Sequence, residues 1–198
     1  MKAHRRRIER NKERILRATI ELFKVQGIKK TTTNDIARQA GVSPATVYNH
    51  FSSKVDLVRA AVKYFLTSTA EDIRKITEGD LPFLGKIEQV ISYKSEMLGQ
   101  NQGELIQTIL SEDPGIRQVV DSVYRDEITP FVIEFYEDGK RQGEINPELS
   151  TETIMRYFEI VRKGMAADST ISEDPEQNRK WLKEMTPILL YGIMGKPE

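Results

Sequence analysis

Apolar residues recur every three or four positions along most of this chain, and that spacing favours α-helices. The clearest run lies between about residues 54 and 78 and contains Val58, Ala61, Val62, Phe65, Thr69, Ile73 and Ile76. Shorter runs with the same period occur near residues 8–23, 84–98, 105–110, 150–168 and 174–194. No segment shows the alternation of a strand. We therefore predict an all-α protein with about nine helices.

Glycine and proline mark where several of these helices begin and end. Gly27 is a stop signal for the first helix. A capping side chain directly precedes a proline at Ser43-Pro44, Asp113-Pro114 and Asp174-Pro175. The cap accepts a free backbone N–H, and proline at the first helical position has none to lose. The period that follows Asp113 continues across Pro130 to about Gly143, which predicts one long bent helix.

The composition excludes many enzyme classes. The 198 residues contain no cysteine, and the histidines are His4 and His50. Disulfides, thiolate catalysis and cysteine–metal sites are therefore excluded. Glu112 and Asp113 are candidate carboxylates, but surface acids are the better interpretation because no nucleophile or base accompanies them. We expect no enzyme activity, no cofactor and no metal.

The hydropathy of the chain indicates where the protein is found. No apolar run approaches the roughly 18 residues that a membrane helix needs. The first 14 residues are charged and lack the apolar core of a signal peptide. We therefore expect a cytoplasmic protein with no membrane partner.

The formal charge is zero overall but is divided unevenly. Residues 1–65 contain 15 Lys and Arg against 5 Asp and Glu, a net charge of 15 − 5 = +10. Residues 66–198 contain 15 against 25, a net charge of 15 − 25 = −10. A basic first third is typical of a segment that meets a polyanion. A charged, solvated surface would have the same composition.

Two short helices joined by a glycine turn are predicted within residues 32–50. Thr32, followed three residues later by Asp35, resembles a capping box in which Asp replaces the usual Glu or Gln. Gly41 then turns the chain, and Ser43 with Pro44 opens the second helix. Such a pair is a helix-turn-helix, whose second helix enters the major groove of DNA. The alternative is a plain helical hairpin with solvated polar residues, and the local charge of +10 favours DNA binding.

The second short helix carries side chains that suit base recognition. Ala45 and Thr46 are small, and their methyl groups can touch a thymine methyl. Tyr48 and Asn49 place hydrogen-bonding groups on the exposed side. Lys54 follows at the start of the next helix, where a cation and a helix N-terminus together attract phosphate. The residues expected in the domain core are Val47 and Phe51.

The segment TTTNDIARQAGVSPATVYNHFSSK, from Thr31 to Lys54, resembles the signature of TetR-family transcriptional regulators. The match covers about residues 10–60, because the first helix also fits the family pattern. The resemblance implies a bacterial homodimer that represses transcription at a palindromic operator in double-stranded DNA and releases it when a small molecule binds. It also implies a DNA-binding domain over 1–53 and a helical ligand-binding and dimerisation domain over 54–198.

The resemblance assigns individual DNA contacts. They are Thr32, Thr33, Pro44, Ala45, Thr46, Tyr48, Asn49, His50 and Lys54. The two threonines would touch phosphate, the residues from Pro44 to Thr46 with Asn49 would face bases, and the others would hold the backbone. Ala45 stands where glycine is common in the family, which should affect operator choice and not the fold. Arg5, Arg6, Arg7 and Arg10 are either further DNA contacts or a solvated, frayed end.

The later helices carry aromatic and methionine-rich faces, among which the resemblance places a ligand pocket for an unknown effector. The candidate ligand contacts are Gln107, Tyr124, Phe131, Phe158 and Arg162. Burial in an ordinary core is the alternative for most aromatic residues here. The last two helices, 150–168 and 174–194 with Trp181, are expected to form the homodimer interface.

One further function on this fold stays open. The chain could be an architectural or division-linked DNA-binding protein that needs no ligand. Many dispersed binding sites would indicate that role, whereas a few promoter sites would indicate the repressor.

Overall fold

The computed structural model describes residues 2–98, 105, 108, 113–167, 177, 180, 181, 184, 185 and 188, apart from the side chains of residues 2, 3, 95, 98, 162, 163 and 165–167. The helices are α1 (Lys2–Lys30), α2 (Thr33–Ala40), α3 (Pro44–His50), α4 (Lys54–Thr77), α5 (Phe83–Leu98), α6 (Pro114–Val123), a π-helical turn (Tyr124–Ile128), α7 (Thr129–Arg141) and α8 (Thr151–Ala167). The predicted all-α fold is confirmed.

α6, the π-helical turn and α7 follow one another without a break and form one continuous helix over residues 114–141. Counted in this way, seven helical segments lie in the described residues. They correspond to seven of the nine predicted segments. The other two, over 105–110 and 174–194, fall almost wholly outside the described residues, as does the predicted cap at Asp174-Pro175. No helix of the described part is both long and apolar enough to cross a membrane.

The first helix breaks where glycine predicted a stop. Gly27 has φ 80° and ψ 165°, a conformation that glycine adopts without the steric cost of a side chain. The helix then resumes as far as Lys30. Thr31 is fully buried and donates a hydrogen bond to the Gly27 carbonyl over 2.7 Å. This bond holds the chain where it turns from α1 toward α2.

The chain divides into two compact units, residues 1–70 with 100–125 and residues 71–99 with 126–198. In the first unit, α1 packs against α2 and α2 against α3. Its most buried side chains include Ile15, Ile36, Val47, Leu57 and Val62. In the second unit the core consists of Phe83, Tyr136, Ile145 and Ile154, with Phe158 among the half-buried side chains packed against it.

Within the first unit, the side chain of Arg59 in α4 contacts the first residues of α6. Asp113 caps α6 by accepting from the Ile116 N–H over 2.8 Å, and its carboxylate lies 4.0 Å from the Arg59 guanidinium. A Cβ at Gly115 would collide with that guanidinium. Glycine at this position therefore lets α6 begin directly against Arg59.

Pro130 lies inside an unbroken helix, as predicted. The π-helical turn of residues 124–128 comes immediately before α7, in which Pro130 is the second residue. Proline lacks the N–H of a regular helical bond, and its ring clashes with the carbonyl four residues earlier. A wider turn provides the space that a regular α-helix would not. The helix ends at Arg141, just before Gly143, whose φ is 76°.

A substitution at Gly139 of α7 tests how tightly the second unit is packed. A Cβ there would lie 2.8 Å from Ile145 Cδ1 and 2.8 Å from Phe83 Cε2. We expect Gly139→Ala to lower the free energy of unfolding by about 1–3 kcal/mol through overpacking, although alanine favours helices by about 1 kcal/mol over glycine. The midpoint of urea unfolding, followed by circular dichroism, measures this change.

Gly85→Ala in α5 is the matched control. The nearest atom to its added Cβ is Leu81 Cβ at 3.5 Å, an ordinary contact. We expect an unchanged or higher midpoint. Equal midpoints for the two variants would contradict the close packing at Gly139.

Candidate nucleic-acid interface

The start of α2 is held by a reciprocal capping box. The Thr32 hydroxyl accepts from the Asp35 N–H over 3.2 Å, and the Asp35 carboxylate accepts from the Thr32 N–H over 3.2 Å. The Thr32 hydroxyl also donates to that carboxylate over 2.6 Å. These bonds, first from the side chain and then from the backbone of Thr32, lower the pKa of Asp35. The predicted box is confirmed, with Asp in the place of Glu.

Gly41 makes the turn between α2 and α3. Its φ of 63° and ψ of 41° are left-handed, and its N–H bonds to the Arg38 carbonyl over 3.1 Å. A Cβ there would lie 2.6 Å from Arg14 Nη2, which donates to the Gly41 carbonyl over 3.3 Å. The left-handed backbone therefore favours glycine at this position.

The second short helix begins as its sequence predicts. The Ser43 hydroxyl accepts from the Thr46 N–H over 3.1 Å, and Pro44 occupies the first helical position. Val47 is 1% exposed and Phe51 is 6% exposed. Their burial, which the sequence predicted, fixes the rotation of α3 about its axis and leaves the opposite face open.

That open face carries the residues predicted to contact DNA. Tyr48 is 60% exposed, a large value for an aromatic side chain on a folded helix. Exposed members of the predicted set are Thr32, Pro44, Ala45, Tyr48, Asn49 and Lys54, and half-buried members are Thr33, Thr46 and His50. The Thr46 hydroxyl is hydrogen-bonded to the Ser43 hydroxyl over 2.8 Å. The structure thus places the predicted residues on α3 and at the starts of α2 and α4.

The carboxylates beside this surface are already engaged. Asp35 forms an ion pair with Arg38 over 2.9 Å in addition to its capping bonds. Asp56 accepts from the Ser52 hydroxyl, and its N–H bonds to the Ser53 hydroxyl over 3.1 Å. Hydrogen bonds to its carboxylate, from the Ser52 side chain first and then from the Ser53 side chain, lower the pKa of Asp56. The charge of Asp35 is balanced by Arg38, and α3 itself contains no acidic residue.

Sequence reasoning missed the role of Arg14. Its contact with Gly41 joins residues 27 positions apart, so no local spacing signals it. It also did not identify the contact between the Lys54 ammonium group and the Lys29 carbonyl, over 3.5 Å. That contact joins the start of α4 to the end of α1.

The predicted ligand contacts are divided between the two units. Tyr124 is an exposed residue at the start of the π-helical turn and belongs to the first unit. Phe131 and Phe158 belong to the second unit, where Arg74 lies 5.3 Å above the Phe131 ring and Phe158 stacks on Tyr136 at 5.8 Å. Gln107 and the Arg162 side chain lie outside the described part of the chain.

A surface groove of about 410 Å³ lies along α6 and the π-helical turn. Its lining consists of Pro114, Arg117, Gln118, Asp121, Ser122 and Arg125. None of the predicted ligand contacts belongs to this lining, in which five of the six residues are polar or charged types. The groove therefore does not correspond to the apolar pocket that the sequence suggested.

Comparison with known proteins identifies the kind of domain that presents this surface. The model for the family "Bacterial regulatory proteins, tetR family" matches residues 15–61, which include all of α2 and α3. The HTH-type transcriptional regulator UidR of Escherichia coli K12 is 28% identical over 159 residues, 78% of this chain and 79% of the relative. The regulator SrpR of Pseudomonas putida is 25% identical over 175 residues, 85% of this chain and 79% of the relative.

Solved structures show the same fold over nearly the whole chain. FadR from Bacillus subtilis, solved in complex with stearoyl-CoA, has a TM-score of 0.62 and 21% identity over 91% of this chain and 98% of that one. The fatty acid degradation regulator FadR from Bacillus halodurans has a TM-score of 0.65 and 19% identity over 92% and 95%. At these identities the likeness concerns the fold alone.

The capping box at α2 generates a pH-dependent prediction. Hydrogen bonds from Thr32 hold the pKa of Asp35 below its ordinary value of 3.8. The stabilisation is therefore complete above that value and is lost as the pH falls through the lower folded-state pKa. We expect Asp35→Ala to lower the melting temperature at pH 7 and to differ less from the wild type at pH 3.

Asp80→Ala, in the exposed turn after α4, is the control for removal of a carboxylate. The melting temperature of this control should differ little from that of the wild type at either pH. If the difference in melting temperature between Asp35→Ala and the wild type were larger at pH 3 than at pH 7, the assigned role of the carboxylate would be contradicted.

Proposed function

By its N-terminal domain the chain is a TetR-family DNA-binding transcriptional regulator, and we propose that it acts as a homodimeric repressor that binds a palindromic operator and is released by a small molecule. The observation that carries the proposal is the open face of α3, where Tyr48 is 60% exposed above the buried Val47. A capped, anchored helix with such a face is suited to the major groove, which is about 12 Å wide and admits one α-helix.

We assign the DNA contacts by their position on this surface. Ala45 and Thr46 lie in the first turn of α3, the part of a recognition helix that meets base edges. Asn49 is exposed one turn further on and offers an amide to a base. Tyr48 and Lys54 are proposed to contact phosphate, as are Thr32 and Thr33 at the start of α2. Pro44 and His50 complete the surface, at the two ends of α3.

The proposed homodimer forms through the last two helices. Ser150 caps α8 by accepting from the Thr153 N–H over 3.1 Å, as its sequence suggests. Ile160 of α8 is 64% exposed and Ile188 is 67% exposed. Large apolar side chains exposed on both of these segments favour coverage by a second copy. A two-fold dimer would present two α3 helices to half-sites about 34–36 Å apart.

Residues 54–198 are proposed to form the ligand-binding and dimerisation domain, and 1–53 the DNA-binding domain. The second unit is rich in stacked aromatic side chains, such as Phe83 on Phe135 at 4.7 Å. An effector with an apolar part would suit these surroundings, and a FadR of similar fold was solved with stearoyl-CoA, which carries a long acyl chain. The effector would act by favouring a dimer whose α3 helices no longer match successive major grooves.

The assigned contacts predict two classes of DNA-binding variant. Tyr48→Ala and Lys54→Ala should weaken binding to every sequence alike, because phosphate contacts carry no sequence information. Thr46→Ala and Asn49→Ala should cost about 1–3 kcal/mol on the preferred site only. Fluorescence anisotropy separates the two classes if it compares two duplexes: one that contains the site selected from genomic fragments, as described below, and one with the same bases in shuffled order.

Lys75→Ala is the matched control for Lys54→Ala, since it removes an exposed lysine of the second unit that pairs with Asp72. It should bind both duplexes like the wild type. If the two classes behaved alike, the division into base and phosphate contacts would be wrong.

Selection of genomic fragments tests the repressor and its architectural alternative together. At about 150 mM salt, where non-specific binding is weak, we expect a few promoter fragments that share an inverted repeat. Sedimentation of the free protein at micromolar concentration should show a dimer. Broad capture without a repeat would favour an architectural protein, and a monomer would contradict the proposed interface.

A further inference from the structure

A row of arginines on α1 extends beyond the contacts proposed so far. Arg6, Arg10 and Arg14 are four residues apart, so they lie on one face of the helix. All three are exposed, and we call this row the arginine stripe. Arg6 and Arg10 precede the part of the chain that the family model matches, residues 15–61.

The stripe has no acidic partner among the described side chains. Glu9 and Glu13 lie on the same helix, but neither forms an ion pair within 4.0 Å with an arginine of the stripe. Like charges spaced four residues apart destabilise a helix by a few tenths of a kcal/mol per pair, and Glu9 and Glu13, three residues after Arg6 and Arg10, offset part of this repulsion. A polyanion that covered the stripe would offset the remainder.

One end of the stripe lies against the turn that leads into α3. Arg14 donates to the Gly41 carbonyl over 3.3 Å, and Gly41 is two residues before the Ser43 cap of α3. At a rise of 1.5 Å per residue, Arg10 and Arg6 follow at about 6 and about 12 Å from Arg14 along α1. The stripe is therefore continuous with the proposed DNA surface.

The chemistry of the stripe fits a DNA backbone. Guanidinium groups bind phosphate oxygens with two parallel hydrogen bonds and keep their charge at any physiological pH. Phosphates of one strand follow at about 3.4 Å along the duplex axis, so about 12 Å of helix can meet several of them. Arg6 and Arg10 make no hydrogen bond or ion pair among the described side chains, so contact with phosphate would displace none of the described contacts.

We propose that the arginine stripe is a second DNA-binding surface, which contacts phosphates flanking the half-site that α3 reads. This inference rests on the proposed function, because α1 comes alongside the duplex only when α3 is bound to DNA. The stripe adds affinity for DNA of any sequence, whereas α3 supplies the choice of operator.

The test is the salt dependence of binding by the full chain with Arg6→Gln and Arg10→Gln combined. Glutamine has nearly the helix propensity of arginine, so the fold and the melting temperature should be retained. The slope of log K against log[KCl] should become shallower by about 0.9 for each phosphate that is no longer neutralised, about 3.6 for two arginines on both protomers. The ratio of affinities for the selected and shuffled duplexes should not change.

The matched control combines Lys75→Gln with Arg141→Gln, which removes the same charge from exposed positions of the second unit. Its slope should equal that of the wild type. If both double variants had slopes shallower than the wild type by the same amount, the effect would be one of bulk charge and the proposal would be overturned. A changed affinity ratio would do so as well, because it would indicate base readout.

Comparison of the stripe variant, Tyr48→Ala and the wild type shows whether the stripe proposal fails alone or together with the function on which it rests. If the stripe variant keeps the wild-type slope while Tyr48→Ala binds DNA more weakly, the stripe is no DNA surface and the regulator stands. If the wild type selects no fragments at all, the proposed function fails, and the stripe proposal fails with it.

Discussion

Helices of seven and eight residues do not persist alone in water, because so short a helix barely repays the cost of its nucleation. α2 and α3 therefore exist only as parts of a shared core with their neighbours. Ile36 and Val47 are each 1% exposed, and Ile15 of α1 is fully buried. This burial also decides which side of α3 faces outward. The open face with Tyr48 is thus a consequence of packing, and the proposed recognition of DNA depends on it.

Electrostatics adds the second condition for a DNA surface. A chain with a formal charge of zero carries +10 in its first 65 residues. Asp35 and Asp56 are held in local hydrogen bonds at the starts of two helices. The arginines of α1 have no such acidic partners among the described side chains. The net positive charge of this segment favours a polyanion where the duplex is proposed to lie.

The second unit has a different physical character. Its core is built from stacked rings, Phe83 on Phe135 and Tyr136 on Phe158. Gly139 permits this packing because no Cβ fits between Ile145 and Phe83. Periodicity identified these helices as apolar, but it did not separate ring stacking in a core from the lining of a pocket, since both demand the same residue types. The structure shows the stacking of Phe83 on Phe135 and of Tyr136 on Phe158, which periodicity could not predict.

Local sequence patterns were sufficient to predict the described helices, the caps of α2, α3 and α6, and the residues of the candidate interface. The box at Thr32 and the caps at Ser43 and Asp113 each join atoms three residues apart, so local spacing contains all the information they need. The contact between Arg14 and Gly41 joins residues 27 positions apart, so it depends on how the chain packs. The same holds for the π-helical turn before Pro130 and for the placement of Phe158 on Tyr136. These features depend on which surfaces meet when the chain packs, and hydrophobic periodicity specifies that a face is buried without specifying what covers it.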